Sequence, residues 1–294
     1  MLVAANPNLA APYIEAGRQA LRELGYVEGQ NITLEFRFAS GQAELLPQFA
    51  GDLVRLKVDV LVVVGDRAVD AAKQATGTIP IVMVAAGDPV RSGFVSSLAR
   101  PGGNITGLSS FLPELDGKLL GLLKEAVPRA SRVAVLWNPR SRGGALGLKE
   151  MQAVAPGLGI ALRSLEIQAP DEIERAISGL ANNHVQALAV ITDPLTFSQR
   201  TRILDLTVKH KLPAMFEVRE FVNDGGLISY GPSLIALMRR STTFVDKIIK
   251  GARPGDLPVE QPTRFELVVN LRTARAIGLT IPQSLLFRAA DLIQ

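Results

Sequence analysis

The stretch that decides the fold is residues 78–110, TIPIVMVAAGDPVRSGFVSSLARPGGNITGLSS. It opens with an apolar run at residues 81–84, and a run of this length between turn residues is typical of a strand buried on both faces. A helical pattern is expected at residues 90–98 and a second extended run at residues 105–108. Strand, helix and strand in this order predict a parallel sheet with crossover helices.

The turn between the first run and the helical pattern, at residues 85–89, is the first candidate for a binding site. In an open parallel sheet, ligands lie in the crevice beyond the carboxyl ends of the strands. The same residues, with Gly87 and Pro89 among them, are also typical of an ordinary strand-to-helix turn. The pattern alone leaves both interpretations open.

The rest of the chain repeats this alternation of short apolar runs and longer amphipathic segments. A chain of 294 residues is too long for most single cores, so we predict two similar α/β lobes with parallel sheets, joined by a multi-segment hinge beside a cleft. Strands are expected at residues 32–38 and 227–230, the latter returning to the first lobe. The N-terminal lobe is predicted to hold residues 1–109 and 227–262, and the C-terminal lobe residues 110–226 and 263–294.

The composition argues against several classes of protein. The 32 Lys and Arg residues face 28 Asp and Glu residues and are not clustered, so no nucleic-acid partner is expected. The sequence contains no Cys, which excludes disulfides, thiolate metal sites and cysteine nucleophiles. No apolar run approaches the roughly 20 residues that span a bilayer. Neither His nor carboxylate residues cluster in the sequence as metal ligands would, so no metal site is predicted.

The motifs of common enzyme classes are missing from the sequence. The two His residues, His184 and His210, lie near no serine-nucleophile motif. No phosphate-binding loop and no dinucleotide fingerprint follows the first strand, and the Gly-rich residues 102–107 precede a strand rather than a helix. We therefore expect no enzyme activity, no catalytic residue and no cofactor.

Similar polar turns follow the predicted strands of both halves. Asp or Asn before Pro is common turn chemistry and also caps helices, but its recurrence at successive strand ends favours polar contacts to a small ligand. The candidate ligand-binding residues in these turns are Asn6, Gly65, Asp66, Arg67, Ala86, Gly87, Asp88, Asn138 and Asp193.

Three aromatic residues lie near the predicted crossings between the lobes, and they are candidates for a wall against which a ligand stacks. They are Trp137, Phe216 and Tyr230. Each could instead be a buried strand residue, because large aromatic side chains supply much of the apolar area of protein cores.

Motifs along nearly the whole chain, in preserved order, resemble the substrate-binding component of bacterial ABC transporters, in the uncharacterized ABC transport system periplasmic component family. The motifs are LRELGYVEGQNITLEFR (residues 21–37), GDPV (87–90), LARPGGNITGLSSF (98–111), VLWNP (135–139), FEVREFVNDGGLISYG (216–231) and QPTRFELVVNLRTARAIGLTIPQSLL (261–286). The resemblance implies a type I periplasmic-binding-protein fold, with two Rossmann-like lobes that close on a small ligand. It also implies a periplasmic location, export by a signal segment not among these residues, and a permease and an ATPase as partners of a monomer.

Some members of that family are associated with amino acids, including aromatic ones, so the resemblance implies a zwitterionic ligand. Relatives usually carry Gly followed by Ser or Thr where this chain has Gly65, Asp66 and Arg67, and an ionised Asp66 would repel a ligand carboxylate. Either Arg67 binds that carboxylate with its fork of donors, or the ligand presents a cation or hydroxyls there. The second-lobe residues expected to close on the ligand are Trp137, Asn138, Asp193 and Glu217.

An alternative function belongs to the same fold, which also serves as the ligand-sensing domain of receptors and transcription regulators. A regulator would carry a helix-turn-helix ahead of the first lobe, and a receptor would carry a membrane segment. The sequence in hand shows neither, because its first strand is expected, clipped, at residues 2–5. Capture of a solute for an importer is therefore the function predicted first.

Overall fold

The computed structural model describes residues 1–110, 112–180 and 184–294, without the side chains of residues 112–114. The chain divides into two compact units, Met1–Phe111 with Leu234–Thr263, and Leu112–Ser233 with Arg264–Gln294. Each unit carries its own sheet, and these sheets are mostly parallel. This architecture confirms the predicted fold class. In the ranges just given, no helix combines the length and the apolar character that crossing a membrane requires.

Strands and helices alternate along most of the chain. The strands are β1 (Leu2–Val3), β2 (Arg37–Phe38), β3 (Leu61–Val64), β4 (Ile81–Ala86), β5 (Ile105–Ser109), β6 (Arg132–Trp137), β7 (Ala161–Glu166), β8 (Ala187–Val190), β9 (Ala214–Phe216), β10 (Ile228–Gly231), β11 (Glu266–Asn270) and β12 (Asp291–Ile293). The helices are α1 (Pro7–Glu23), α2 (Leu46–Arg55), α3 (Asp66–Ala75), α4 (Leu112–Ala126), α5 (Arg142–Val154), α6 (Glu172–Ser178), α7 (Pro194–Ser198), α8 (Arg200–Lys209), α9 (Arg219–Asn223), α10 (Leu234–Ile249), α11 (Leu271–Ile277) and α12 (Gln283–Arg288). Short 3-10 turns lie at Ala43–Leu45, Pro156–Leu158 and Pro254–Asp256.

The first unit is built on a five-stranded parallel sheet with the order β2-β1-β3-β4-β5. Residues 81–84 of β4 are buried, as their unbroken apolar run predicted. The helices pack in pairs, α1 with α10 and α2 with α3. Because all the strands run the same way, the turns after β1, β3 and β4 lie at one edge of the sheet.

The second unit is built on a seven-stranded sheet with the order β12-β11-β10-β9-β8-β6-β7. Its strands pair in parallel except for β10 with β11. Two of the helices, α4 and α5, pack against each other, and apolar residues of both join the core that covers β6, β8 and β9. The turns after β6, β8 and β9 therefore share one edge of this sheet.

The strand expected to return to the first lobe belongs to the second sheet instead. Ser229 of β10 faces Phe216 of β9 in parallel register and Val268 of β11 in antiparallel register. An apolar run shows that a strand exists, but its neighbours are chosen by long-range pairing that no local pattern reveals. The prediction for residues 227–230 was therefore wrong about the sheet and right about the strand.

Two other segments also differ from expectation. Residues 90–98 form successive turns instead of a helix, because the Asp88 carboxylate accepts the amides of Val90 and Arg91 and Gly93 takes a φ of 71°. In the expected strand at residues 32–38, only the last part pairs as β2. The reason is the register: Leu2 of β1 lies opposite Arg37, so β1 offers residues 33–36 no partner.

Candidate functional site

The turn after β3 combines a glycine with the start of a helix. Gly65 precedes α3 with a φ of 81°, a conformation that a side chain would strain. The helix α3 has 10 residues and no side chain caps its N-terminus. Since the first amides of a helix lack intrahelical partners, this N-terminus presents N–H groups and a partial positive charge. Arg67, in the first turn, is half-buried and adds a full positive charge.

Asp66 has an internal role that the sequence did not reveal. Its Oδ1 accepts a hydrogen bond of 2.8 Å from the amide of Gly87, in the turn after β4. The carboxylate therefore joins two neighbouring strand-end turns of the first unit. This contact gives Asp66 a structural reason to stand where a hydroxyl residue was expected.

The turn after β4 is held from several sides. Ala85 has a φ of 53°, which is uncommon for a residue with a Cβ, and the register of β4 against β5 shifts between Met83 and Ala86. The hydroxyl of Ser109 donates to the carbonyl of Gly87 at 2.7 Å, and Ser110 donates to the carbonyl of Ala86. Backbone strain of this kind is often found at binding sites, which supports the interest of this turn.

Two candidate residues of the first unit make contacts that account for them without a ligand. Asn6 caps α1, because its side chain accepts the amide of Leu9 at 3.0 Å. Asp88 accepts the amides of the two residues after Pro89 in the turn described above. The capping alternative thus fits both side chains, and their contact with a ligand stays a prediction.

In the second unit, Asn138 and Asp193 form one hydrogen-bonded group at the ends of β6 and β8. Both are buried, and Asn138 Nδ2 donates to Asp193 Oδ2 at 2.6 Å. The other carboxylate oxygen, Oδ1, accepts the amide of Thr196 at 2.8 Å, while the Thr196 hydroxyl accepts the amide of Asp193. This is a capping box, which fixes the start of α7.

Glu217 lies one residue beyond β9 and is only 1% exposed. Its Oε2 accepts the amide of Thr192 at 2.6 Å, and its carboxyl group is hydrogen-bonded to Asp116 of α4. Burial raises the pKa of Glu217 above its ordinary value, the negative charge of Asp193 acts in the same direction, and the hydrogen bonds from Asp116 and Thr192 oppose the rise. Asp116, Asp193 and Glu217 therefore place three carboxyl groups at this edge of the second sheet.

Asp116 was missed in the sequence, although a signal was present. It is 1% exposed and lies on α4 three, four and seven positions ahead of the buried residues Leu119, Leu120 and Leu123. An acidic residue on the apolar stripe of a helix needs a buried partner. Applied to α4, that rule would have selected Asp116.

Two glycines leave room for these acids. A Cβ at Gly147 of α5 would overlap Oδ2 of Asp116, and a Cβ at Gly231 of β10 would overlap the backbone carbonyl oxygen of Glu217. The close approach of α4 to α5, and of β10 to the residue after β9, thus depends on the absence of a side chain at both positions.

The three aromatic candidates differ in accessibility. Phe216 is fully buried and stacks on Phe221 with ring centroids 4.5 Å apart. Trp137 is 8% exposed, and its indole N–H donates to the hydroxyl of Ser164 at 2.7 Å. Both therefore contribute to the core of the second unit.

Tyr230 is the aromatic candidate with an accessible ring. It is half-buried, and its hydroxyl accepts a hydrogen bond of 2.6 Å from Lys118. The Lys118 ammonium also lies 4.6 Å from the centre of the ring. Phe265 packs beside the ring at 6.0 Å. Of the three aromatic candidates, Tyr230 is the one whose ring is available to stack on a ligand.

The chemistry of these two edges suits the binding of a small polar molecule. No group of three or more potential metal ligands has an arrangement that could hold a metal ion, within the residues that the structure describes. Each edge, taken by itself, presents one kind of charge. The first carries helix amides and Arg67, and the second carries buried carboxyl groups.

Comparisons with known proteins agree over nearly the whole chain. The family described as ABC transporter substrate binding protein matches residues 13–293. A tyrosine-binding protein of Clostridioides difficile (strain R20291) is 28% identical over 261 residues, which cover 89% of this chain and 75% of that relative.

Two solved structures are similar to almost all of the chain. A conserved domain protein from Vibrio cholerae superposes with a TM-score of 0.93 at 26% identity, over 99% of this chain and 97% of that chain. An ABC domain from Streptococcus pneumonia, solved in complex with L-Trp, superposes with a TM-score of 0.91 at 25% identity, over 99% and 98%.

Proposed function

Because the chain belongs to the family of ABC transporter substrate-binding proteins, we propose that it captures an aromatic amino acid and delivers it to the permease of an ABC importer. One relative is named a tyrosine-binding protein, and one similar structure was solved with L-Trp. The observation that carries the proposal is the group of hydrogen-bonded carboxylates after β8 and β9. An amino acid ligand has an ammonium group that such carboxylates suit.

The ammonium group is assigned to Asp193 and Glu217. Each carboxylate is already oriented, Asp193 by Asn138 and Thr196 and Glu217 by the amide of Thr192. Acceptors held in place before the ligand arrives lose little conformational entropy on binding, which favours affinity. A charge-assisted hydrogen bond to either acid is also stronger than a neutral one.

The carboxylate of the ligand is assigned to the turn after β3. Helix N-termini bind anions through their free amides and their dipole, and α3 begins immediately after Gly65 without a side-chain cap. Arg67 adds the planar fork of donors that matches a carboxylate. Asp66 is compatible with this assignment, since its Oδ1 is engaged with the Gly87 amide.

The side chain of the ligand is assigned to Tyr230. Its ring is half-buried, and a second aromatic ring, Phe265, lies beside it. Aromatic pairs in offset or edge-to-face geometry gain about 0.5–1.5 kcal/mol beyond the area that they bury. Trp137 and Phe216, which belong to the core, would shape this part of the site from behind.

The cellular role follows from the family. We propose a periplasmic, monomeric protein whose partners are an ABC permease and its ATPase, and which returns its ligand chemically unaltered. Domain closure around the ligand is the usual step by which such two-lobe proteins retain it.

Thermal melting against a panel of compounds tests the ligand class. The panel contains L-tyrosine, L-tryptophan, aliphatic amino acids, sugars, nucleosides and polyamines. A ligand at 100 times its Kd adds about 2.7 kcal/mol to the free energy of unfolding, which raises the Tm measurably. We expect the aromatic amino acids to raise it most. A rise with sugars or polyamines and none with amino acids would contradict the proposal.

A further inference from the structure

The first unit contains a cavity of about 950 Å³ that lies away from the strand-end turns. Its lining includes Met1, immediately before β1, and residues 56–60, immediately before β3. These positions place the cavity beside the amino ends of the strands, whereas the candidate site lies at their carboxyl ends. The cavity is therefore independent of the proposed function.

Two helices wall the cavity with mostly apolar side chains. The residues of α1 and α10 in the lining are Ile14, Gly17, Arg18, Leu21, Met238, Ser241, Thr242, Val245, Ile248 and Ile249. Two large apolar side chains of the lining are exposed, Leu56 at 51% and Ile249 at 46%. A wall of this composition suits an apolar occupant.

The backbone beside the cavity has the geometry of a sheet with one strand cut short. β1 lies between β2 and β3, with Leu2 opposite both Arg37 and Val63. Continuing this register, the position ahead of Met1 falls between Glu35 and Leu61, and the next positions fall between residues 34 and 60 and between residues 33 and 59. These two flanking segments, residues 33–36 and 57–60, both line the cavity.

The side chains and amides of β3 face the same gap. Val62 is half-buried although β3 is the central strand of the sheet, and parallel strands are ordinarily buried on both faces. Leu61 and Gly65 donate their amides toward β4, to Pro80 and Val84. Because successive amides of a strand point to opposite sides, the amide of Val62 points to the side of β1, where the gap lies.

We propose that this cavity is a strand slot, which accepts an extended apolar segment of three to four residues in line with β1 and parallel to β3. Each residue advances about 3.3 Å, so three residues reach the level of Thr33. Adding a strand satisfies backbone groups on both neighbours, which gives affinity, while the apolar walls select the side chains. Continuity with β1 favours a peptide strand over a separate small molecule.

The side chains of such a segment alternate between two apolar surroundings. Leu2 packs in the core with Leu46 and Leu53, and the residue immediately ahead of Met1 falls on that same face. The residue before it shares the face of Met1, which lines the cavity. Both positions thus favour Val or Ile, which are the usual residues of parallel strands.

The test joins a tripeptide to the amino group of Met1 in two versions of the chain, Ile-Val-Ile and Ser-Asp-Ser. If the slot exists, the apolar version should melt at least about 5 °C above the polar one, because only its side chains gain burial. Hydrogen exchange at the amide of Val62 should slow at least about tenfold in the apolar version. The unextended chain supplies the baseline for both readings.

Equal Tm values for the two extended chains would overturn the strand slot. Unchanged exchange at Val62 would overturn it as well, even with a higher Tm, because the apolar tripeptide would then bind without pairing to β3. Neither reading involves amino acid binding, so the outcome is separate from that of the proposed function.

Discussion

Replacement of Asp193 by Ala probes the carboxylate group of the second unit most sharply, because Asp193 has two structural roles that can be estimated. As the N-cap of α7, its loss costs about 1 kcal/mol, within a range of roughly 0.5–2 kcal/mol. The change also removes the acceptor of the 2.6 Å hydrogen bond from Asn138, which leaves a buried amide donor without a partner at a cost of about 1–3 kcal/mol. The sum is about 2–4 kcal/mol of unfolding free energy. Calorimetric melting should therefore show a fall in Tm of roughly 4–12 °C.

The matched control is Thr196→Ala, which removes the other half of the capping box and keeps the carboxylate. This variant should lose about 1 kcal/mol of stability and bind its ligand as the parent does. Asp193→Ala should in addition weaken binding by more than about 1 kcal/mol, roughly fivefold in Kd, measured by calorimetric titration well below its Tm. A Tm within 1–2 °C of the parent (~0.5 kcal/mol) would refute the capping argument. An unchanged Kd would remove Asp193 from the binding site.

Three further predictions concern stability. Because the pKa of Glu217 is raised, the folded state keeps this proton at pH values where the unfolded chain has lost it, so stability falls as the pH rises from the ordinary Glu pKa to the raised one. Glu217→Gln should remove that part of the decline, and a difference between the two Tm-versus-pH curves that does not change with pH would contradict this. Ala85→Gly should stabilise the fold by about 0.5–1 kcal/mol in chemical denaturation, because glycine adopts a φ of 53° freely; a loss of stability would show that the conformation of Ala85 carries no strain. Gly231→Ala should cost more than about 3 kcal/mol, because its Cβ would overlap a backbone carbonyl that cannot swing aside; a Tm like that of the parent would show that β10 can shift.

Much of the fold was predictable because its strands are short apolar runs. The run at residues 81–84 became the buried part of β4, and the order of strands and helices predicted two parallel sheets correctly. What local patterns could not give was the choice of strand neighbours. β10 joined the second sheet through pairing with residues 214–216 and 266–270, and these pairs are fixed by the whole fold.

The failed helix at residues 90–98 has a local cause. An apolar periodicity was present, but the Asp88 carboxylate captures the amides of Val90 and Arg91, which a helix would need. The turn-forming Asp88-Pro89 pair was noted as a binding candidate, and its effect on the following residues was not weighed. Side-chain chemistry at the first turn outweighed periodicity here.

The candidate site was predictable at the level of strand-end turns and less so for single residues. Asn138, Asp193 and Glu217 lie together at one edge, as strand order implies. The contact of Asp66 with Gly87 was not predictable, because it links residues 21 apart in sequence through a detail of turn geometry. Asp116 was missed because the search followed strand ends, and it lies on a helix.

The most direct test of the central claim is isothermal titration of the purified chain with L-tryptophan and L-tyrosine. Tryptamine, which lacks the carboxylate, and indole-3-propionate, which lacks the ammonium group, are the matched controls. We predict saturable one-to-one binding of at least one of the two amino acids, with either control weakened at least about tenfold, or about 1.4 kcal/mol, by the loss of a charged contact. Absence of binding by both amino acids, or equal affinity for the two controls, would contradict recognition of a zwitterion.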